Sequence, residues 1–195
     1  MLFPHLHDKQ VILASQSPRR LELVRGLELN PIIRLKDVDE SYPDDLSGAD
    51  VALYVTRKKA HAYVDEMLPN EILITGDTVV LLDNEVLGKP ASVSEAREML
   101  KKLSGRTHRV ASGIAVYTRD AGLQSEVDVC EVQFGVLSDE LIEHYASKYQ
   151  PFDKAGAYGV QDLIGFAGVQ SIRGSFFTVM GLPTHILFRF INNLD

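Results

Sequence analysis

The sequence predicts a mixed α/β fold, a twisted sheet with flanking helices. Short apolar runs alternate with amphipathic segments early in the chain, which is the pattern of strands joined by crossover helices. Strand-like runs follow one another directly in the middle, which requires antiparallel neighbours. Apolar residues make up 45 % of the 195 residues, enough for a buried core. No Pro/Ser/Gly-rich linker, internal repeat or low-complexity segment divides the chain. A single domain over residues 1–195 is therefore expected. The middle hairpins need not join the first sheet, which leaves room for two lobes around a cleft.

The elements follow in order. Residues 11–14 form a short apolar run and read as a buried strand. Ser17-Pro18 reads as a helix start, with serine as N-cap and proline at the first helical position. Leu21, Leu23, Val24 and Leu27 give that helix its apolar stripe, and Gly26 sits near its stop. Residues 31–35 are a second strand candidate, and 37–48 a polar loop. Residues 49–67 read as one helix with Val51, Tyr54, Val55 and Ala62 on its face. A strand over 72–75 precedes Gly76-Asp77-Thr78. Residues 79–82 and 85–87 flank Asp83-Asn84 as a hairpin. Residues 94–103 form a helix ended by Ser104-Gly105. Residues 107–117 and 127–136 read as strands around a polar turn containing Gly122. Ser138-Asp139-Glu140-Leu141 reads as a capping box opening a helix through Tyr149. The glycine-rich stretch 155–168 reads as loop. Residues 169–180 read as paired strands across Arg173-Gly174-Ser175, and 182–194 as a closing helix.

Composition excludes several classes of function. The formal net charge of -7 argues against DNA, RNA or anionic membranes as partners, because the basic footprint is missing globally. It leaves a small phosphate-bearing ligand open, which needs only a local cluster of cations. The single cysteine, Cys130, can form neither an internal disulfide nor a thiolate zinc site. Its alternating strand-like surroundings, with no adjacent base, mark it as a packing residue. The N-terminus lacks the cationic start and apolar stretch of a secretory signal. No apolar run approaches the roughly 20 residues that cross a bilayer. A cytoplasmic, reducing compartment is the expectation.

The common nucleotide and hydrolase signatures are missing: no G-x-x-x-x-G-K-[ST], no G-x-G-x-x-G, no H-E-x-x-H and no G-x-S-x-G. In their place stand short polar motifs, each set where a predicted strand ends. Ser15-Gln16-Ser17-Pro18-Arg19-Arg20 combines hydroxyls, a helix start and two guanidiniums, which is the physical recipe for an anion site. Lys58-Lys59 lies on the long helix. Gly76-Asp77-Thr78 offers a carboxylate able to hold Mg²⁺ or to take a proton from water. Gly88-Lys89-Pro90 sets a lysine on a stiff turn. The tract from Pro151 to Gln161 carries Lys154 among glycines that allow close backbone approach. Asp39-Glu40 offers a second metal contact on a loop. Any of these alone reads equally well as a cap, a turn or a solvated face. Together Arg19, Arg20, Lys59, Lys89 and Lys154 as cations, with Glu40 and Asp77 as acids, suit hydrolysis or transfer at phosphorus.

The ordered series Leu13–Arg20, Val38-Asp39-Glu40, Arg57–Ala60, Gly76–Val80, Gly88–Pro90, Lys102–Gly105 with His108, Asp153–Gln161, Ile172–Ser175 and Val179–Pro183 resembles the Maf family of nucleoside triphosphate pyrophosphatases over nearly the whole chain. The resemblance implies a fold related to the inosine triphosphate pyrophosphatases, with two lobes around a nucleotide cleft. It implies cleavage between the α and β phosphates to a nucleoside monophosphate and pyrophosphate, with Mg²⁺ or Mn²⁺. It makes Asp77 the proton acceptor, with Lys59 and Lys89 beside it. Ser15, Ser17, Arg19, Arg20 and Lys154 become phosphate ligands, and Glu40 with Asp77 the metal contacts. Lys154 to Gln161, with Arg19 and Thr78, looks like the branch acting on dTTP and UTP, in which Arg19, Thr78 and Gln161 choose the base. Family members are often homodimers. The sequence departs from the family pattern at Thr56, Gln150 and Thr178, where alanine, glutamate and asparagine are usual. Two other readings stand beside this one: a nucleotide-binding regulator of cell division without turnover, and a 7-methyl-GTP pyrophosphatase.

Overall fold

In a computed structural model describing residues 2–194, the strands join one seven-stranded mixed sheet. The chain runs β1 (Gln10–Leu13), α1 (Pro18–Gly26), β2 (Ile32–Ile33), α2 (Ala49–His61), β3 (Glu71–Leu82), β4 (Glu85–Leu87) and α3 (Val93–Leu103). It continues through β5 (Thr107–Thr118), β6 (Gly122–Phe134), α4 (Asp139–Tyr149), α5 (Leu163–Gly168), β7 (Val169–Arg173), α6 (Phe176–Met180) and α7 (Thr184–Asn192). The strand order is β2-β1-β3-β5-β6-β7, and β4 pairs with β3. β1 is parallel to β2 and β3, while β3, β5 and β6 are antiparallel neighbours. Parallel crossovers early and hairpins later are what the change of pattern along the chain demands.

Period-two alternation along β3 divides the core. Leu73, Val79 and Leu81 face α2, together with Ala52, Ala60 and Tyr63. Ile72, Ile74, Val80 and Leu82 face the larger cluster built with α1, α3, α4 and α7. α2 lies close on the sheet because Gly113 of β5 has no side chain: a Cβ there would stand 2.7 Å from the Ala52 carbonyl oxygen.

The sheet is incomplete at one place, and that place matters most. β1 pairs with Glu71 to Ile74, and β4 pairs with Val80 to Leu82. Residues 75–79 of β3 have no strand on that side. The Ile74 carbonyl accepts from Ala14 N–H at 2.9 Å, so the backbone groups of even-numbered residues point toward β1. Gly76 and Thr78 therefore turn their N–H and C=O groups to the open gap.

Several expected boundaries are corrected. Gly76-Asp77-Thr78 does not end a strand. The β5 ladder continues through it, from Leu73 opposite Tyr117 to Leu81 opposite Arg109. Local β-propensity of Gly and Asp is poor, and a long partner strand overrides it. The helix expected to reach residue 67 stops at His61, followed by a 3-10 turn at Val64–Glu66. Asp65 and Glu66 oppose the negative end of a helix, and Tyr63 and Met67 are buried in the core instead. The strand expected over 31–35 shrinks to Ile32–Ile33. Within the expected loop 155–168, Leu163–Gly168 is helical. The second of the strands expected over 169–180 is helix α6. Gly174 (φ +125°) turns the chain over Cys130, and Gly181 (φ +119°) ends the helix in the left-handed conformation. At α4, Ser138 caps Leu141 N–H, but Leu141 stands where a capping box needs Glu or Gln, so the reciprocal bond is absent.

Candidate active site

The β1–α1 junction builds the first wall. Ser17 caps α1, accepting from Arg20 N–H at 3.4 Å. Ser15 Oγ accepts from Ser17 N–H at 3.2 Å and from Arg20 Nη1 at 3.3 Å. Capping thus leaves Arg20 folded back over the gap in the sheet. Its Nε donates to the Gly181 carbonyl at 2.9 Å and its Nη2 to Thr78 Oγ1 at 3.1 Å. Gly76 is needed here, because a Cβ would stand 2.9 Å from the Gly113 carbonyl oxygen and 3.5 Å from Arg20 Nε.

Asp77 projects to the α2 side. Lys59 Nζ donates to Asp77 Oδ1 at 2.8 Å and lies 2.8 Å from Glu40 Oε1. Lys89 Nζ is 3.6 Å from the other Glu40 oxygen. Burial alone would raise the Glu40 pKa; the hydrogen bond and charge of Lys59, with Lys89 and Arg20, hold it below the ordinary value. Lys58, the neighbour of Lys59, instead fastens the 37–48 loop through Asp39 at 2.9 Å. Adjacent lysines on a helix point apart, so one serves the loop and one the site.

The glycine tract closes the far side. Arg19 Nη1 donates to Asp153 Oδ2 at 2.8 Å, across the mouth of the cleft. Lys154 Nζ donates to Asp153 Oδ1 at 2.8 Å and lies 3.7 Å from Asp162. Gly156, at φ +66°, backs onto Val80, where a Cβ would meet a methyl group at 2.8 Å. Its N–H donates to the Gly88 carbonyl at 3.0 Å, which joins the tract to the Lys89 turn.

Ser15, Ser17, Arg19, Arg20, Glu40, Lys59, Asp77, Thr78, Lys89, Lys154 and Gln161 all line one cleft of about 740 Å³. The side chains singled out in the sequence are thus brought together from separate elements. Gln150 is not among the lining residues; it ends α4 at φ +44°. Thr56 and Thr178 are fully buried behind the cleft. Asp153, which opens the motif running to Gln161 but has no role of its own in the sequence reading, bridges Arg19 and Lys154. Its signal was an acid directly before the lysine of the glycine tract. Phe152 is 38 % exposed at the cleft wall.

The acids offer oxygen donors alone, the chemistry of a Mg²⁺ or Mn²⁺ site. Asp77 Oδ2 accepts no hydrogen bond from the described residues. No group of three or more His, Cys, Asp or Glu side chains suited to a metal forms among the described residues. Two carboxylates are fewer ligands than an all-protein cage supplies, and the Lys59 ammonium stands 2.8 Å from an oxygen of each.

A family model described as Maf-like protein matches residues 10–194. A Bacteroides thetaiotaomicron protein named dTTP/UTP pyrophosphatase is 52 % identical over 185 residues, covering 94 % of this chain and 95 % of its own. A Bacteroides fragilis protein of the same name is 46 % identical over 194 residues, covering 99 % and 100 %. Among solved structures, the Staphylococcus aureus Ham1 protein aligns at a TM-score of 0.44 and 15 % identity, over 65 % of this chain and 72 % of that one. No helix of the described residues is long and apolar enough to cross a membrane.

Proposed function

The chain belongs to the family of Maf-like proteins, and we propose that its cleft hydrolyses pyrimidine nucleoside triphosphates, dTTP and UTP, at the α–β phosphate bond. The products are the nucleoside monophosphate and pyrophosphate. The observation that carries this reading is the convergence of six cations and four acids from separate elements on one cleft. Such a cleft is locally basic in an acidic protein, which suits a compact polyanion.

Arg20, Lys59 and Lys89 hold the triphosphate, aided by Ser15 and Ser17 at the start of α1. Arg19 and Lys154, anchored by Asp153, close the cleft from the glycine tract. Asp77 accepts the proton of the attacking water, and Lys59 fixes the orientation of its carboxylate. Glu40 and Asp77 would hold a divalent cation, which supplies neutralisation of phosphate charge when bound. Thr78, Gln161 and Arg19 meet the base. Gln161 Oε1 is buried without a hydrogen-bond partner, an acceptor left over for a ligand. The enzyme works as one domain in the cytoplasm, without nucleic acid, and the family reading adds homodimerisation.

A substrate panel tests the proposal: dTTP, UTP, CTP, GTP and 7-methyl-GTP with Mg²⁺, Mn²⁺ or EDTA, followed by product analysis. Monophosphate and pyrophosphate from dTTP and UTP, lost in EDTA, are expected. Binding without monophosphate would favour the regulatory reading. Preference for 7-methyl-GTP would favour the sister branch.

A further inference from the structure

Tyr145 of α4 is fully buried, with its ring stacked on Tyr149 at 4.8 Å between centroids. It does not line the cleft. Its hydroxyl is bonded twice, to the two ends of one turn in the glycine tract. It accepts from Gly159 N–H at 3.3 Å and donates to Asp162 Oδ2 at 2.9 Å. The turn is closed by Asp162 N–H, which donates to the Gly159 carbonyl at 3.0 Å. Burial and the charge of Asp162 push the Tyr145 pKa well above its usual range, so the hydroxyl keeps the proton it donates.

The turn is also tightly enclosed. A Cβ on Gly159 would stand 2.6 Å from Asp162 Oδ2, and one on Gly165 of α5 would stand 1.9 Å from the Val160 carbonyl oxygen. Val160 and Gln161 form the middle of the turn. Val160 is buried in the core, and Gln161 reaches the cleft. Gln161 Oε1 is buried and has no hydrogen-bond partner among the described residues. No bond of its own holds that oxygen in place, so its position follows from the backbone of the turn beneath it.

We propose that Tyr145 is a positioning residue: by clasping both ends of the Gly159–Asp162 turn, it holds the Gln161 amide where the nucleoside part of the substrate meets it. Without the hydroxyl, Gly159 N–H and the Asp162 carboxylate both lose a buried partner, and the turn shifts to find others. The inference rests on the reading of the cleft as a nucleotide hydrolase with Gln161 at its nucleoside end.

The test measures kcat and KM for UTP in the parent, Tyr145→Phe, Gln161→Ala and the double variant. Tyr145→Phe keeps the ring and removes the hydroxyl. Its KM should rise about tenfold, the order of one hydrogen bond, with kcat little changed. The double variant should match Gln161→Ala alone, since Tyr145 acts through Gln161. Inhibition by inorganic tripolyphosphate, which has no nucleoside, should be the same in all four proteins, because Lys154 keeps Asp153 at 2.8 Å. A general loosening of the fold would instead weaken tripolyphosphate along with UTP. That result, a parental KM in folded Tyr145→Phe, or additive losses in the double variant would overturn the inference. If Tyr145→Phe does not fold, Asp162→Ala opens the same clasp from its other side, with the same rise in KM expected and a parental KM overturning the inference. Failure of the parent enzyme to release pyrophosphate from UTP would overturn the reading of the cleft itself.

Discussion

Lys59 Nζ lies 2.8 Å from Asp77 Oδ1, and both side chains are nearly enclosed, at 13 % and 12 % exposure. The pair joins the last turns of α2 to the middle of β3 at the gap in the sheet. It is the point where packing and proposed chemistry meet, because the same contact neutralises a buried acid and aims it.

Asp77→Asn keeps the shape of the side chain and removes the base. Pyrophosphate release should fall by roughly 10²–10⁴, and the thermal midpoint should fall by less than in a Lys59 variant, because Lys59 keeps Glu40 at 2.8 Å. Parental turnover in the purified variant would remove Asp77 from the mechanism.

Lys59→Met leaves Asp77 and Glu40 without their shared partner. Breaking an enclosed pair from one side costs about 3 kcal/mol. Urea unfolding should show that loss, and adding Asp77→Asn should recover part of it. A double variant no more stable than Lys59→Met would show that the uncompensated carboxylate is not the cause.

Burial lowers the His108 pKa from 6.5 to about 4. The neutral ring sits between Phe134 and Tyr158, with Nε2 at 2.7 Å from the Tyr158 hydroxyl. The unfolded chain takes up the proton near pH 6.5 and the folded one only near pH 4. Stability is therefore fully present above pH 6.5 and is lost as pH falls toward 4. The loss amounts to about 3 kcal/mol over that window. Urea midpoints at pH 7 and pH 4.5 should diverge by less in His108→Gln than in the parent.

Gly113→Ala would push a methyl group into the Ala52 carbonyl at 2.7 Å and into Thr56 Oγ1. Backbone cannot yield as a flexible side chain can, so α2 must lift from the sheet. A loss of about 2–3 kcal/mol is expected, with reduced activity because α2 carries Lys59. A calorimetric midpoint equal to the parent's would contradict this packing.

The sequence was most legible where local chemistry decides. Ser17-Pro18 starts a helix because the cap and the proline are both at hand, and α1 begins there. It was least legible where a distant partner decides. Nothing near Gly76 announces that β5 will carry the strand through Asp77, or near Phe176 that a β-rich run will coil into α6. The same holds in the site. Arg20, Lys59 and Asp77 could be picked out as residue types, whereas the bridge from Arg19 to Asp153 spans 134 residues and exists only after folding.

The chain by itself determined the inventory: which cations, which acids, their motifs, and an overall charge of -7. Tertiary structure decided what the inventory means. Because β1 stops with Leu13 opposite Ile74 and β4 ends with Leu87 opposite Val80, the edge of β3 stays open between them. Through that opening, alternate side chains on opposite faces of one strand reach the same cleft. Asp77 meets Lys59 there, and Thr78 meets Arg20. The physical reason is the period of two along a strand, which no local pattern can convert into a site until a neighbouring strand is missing.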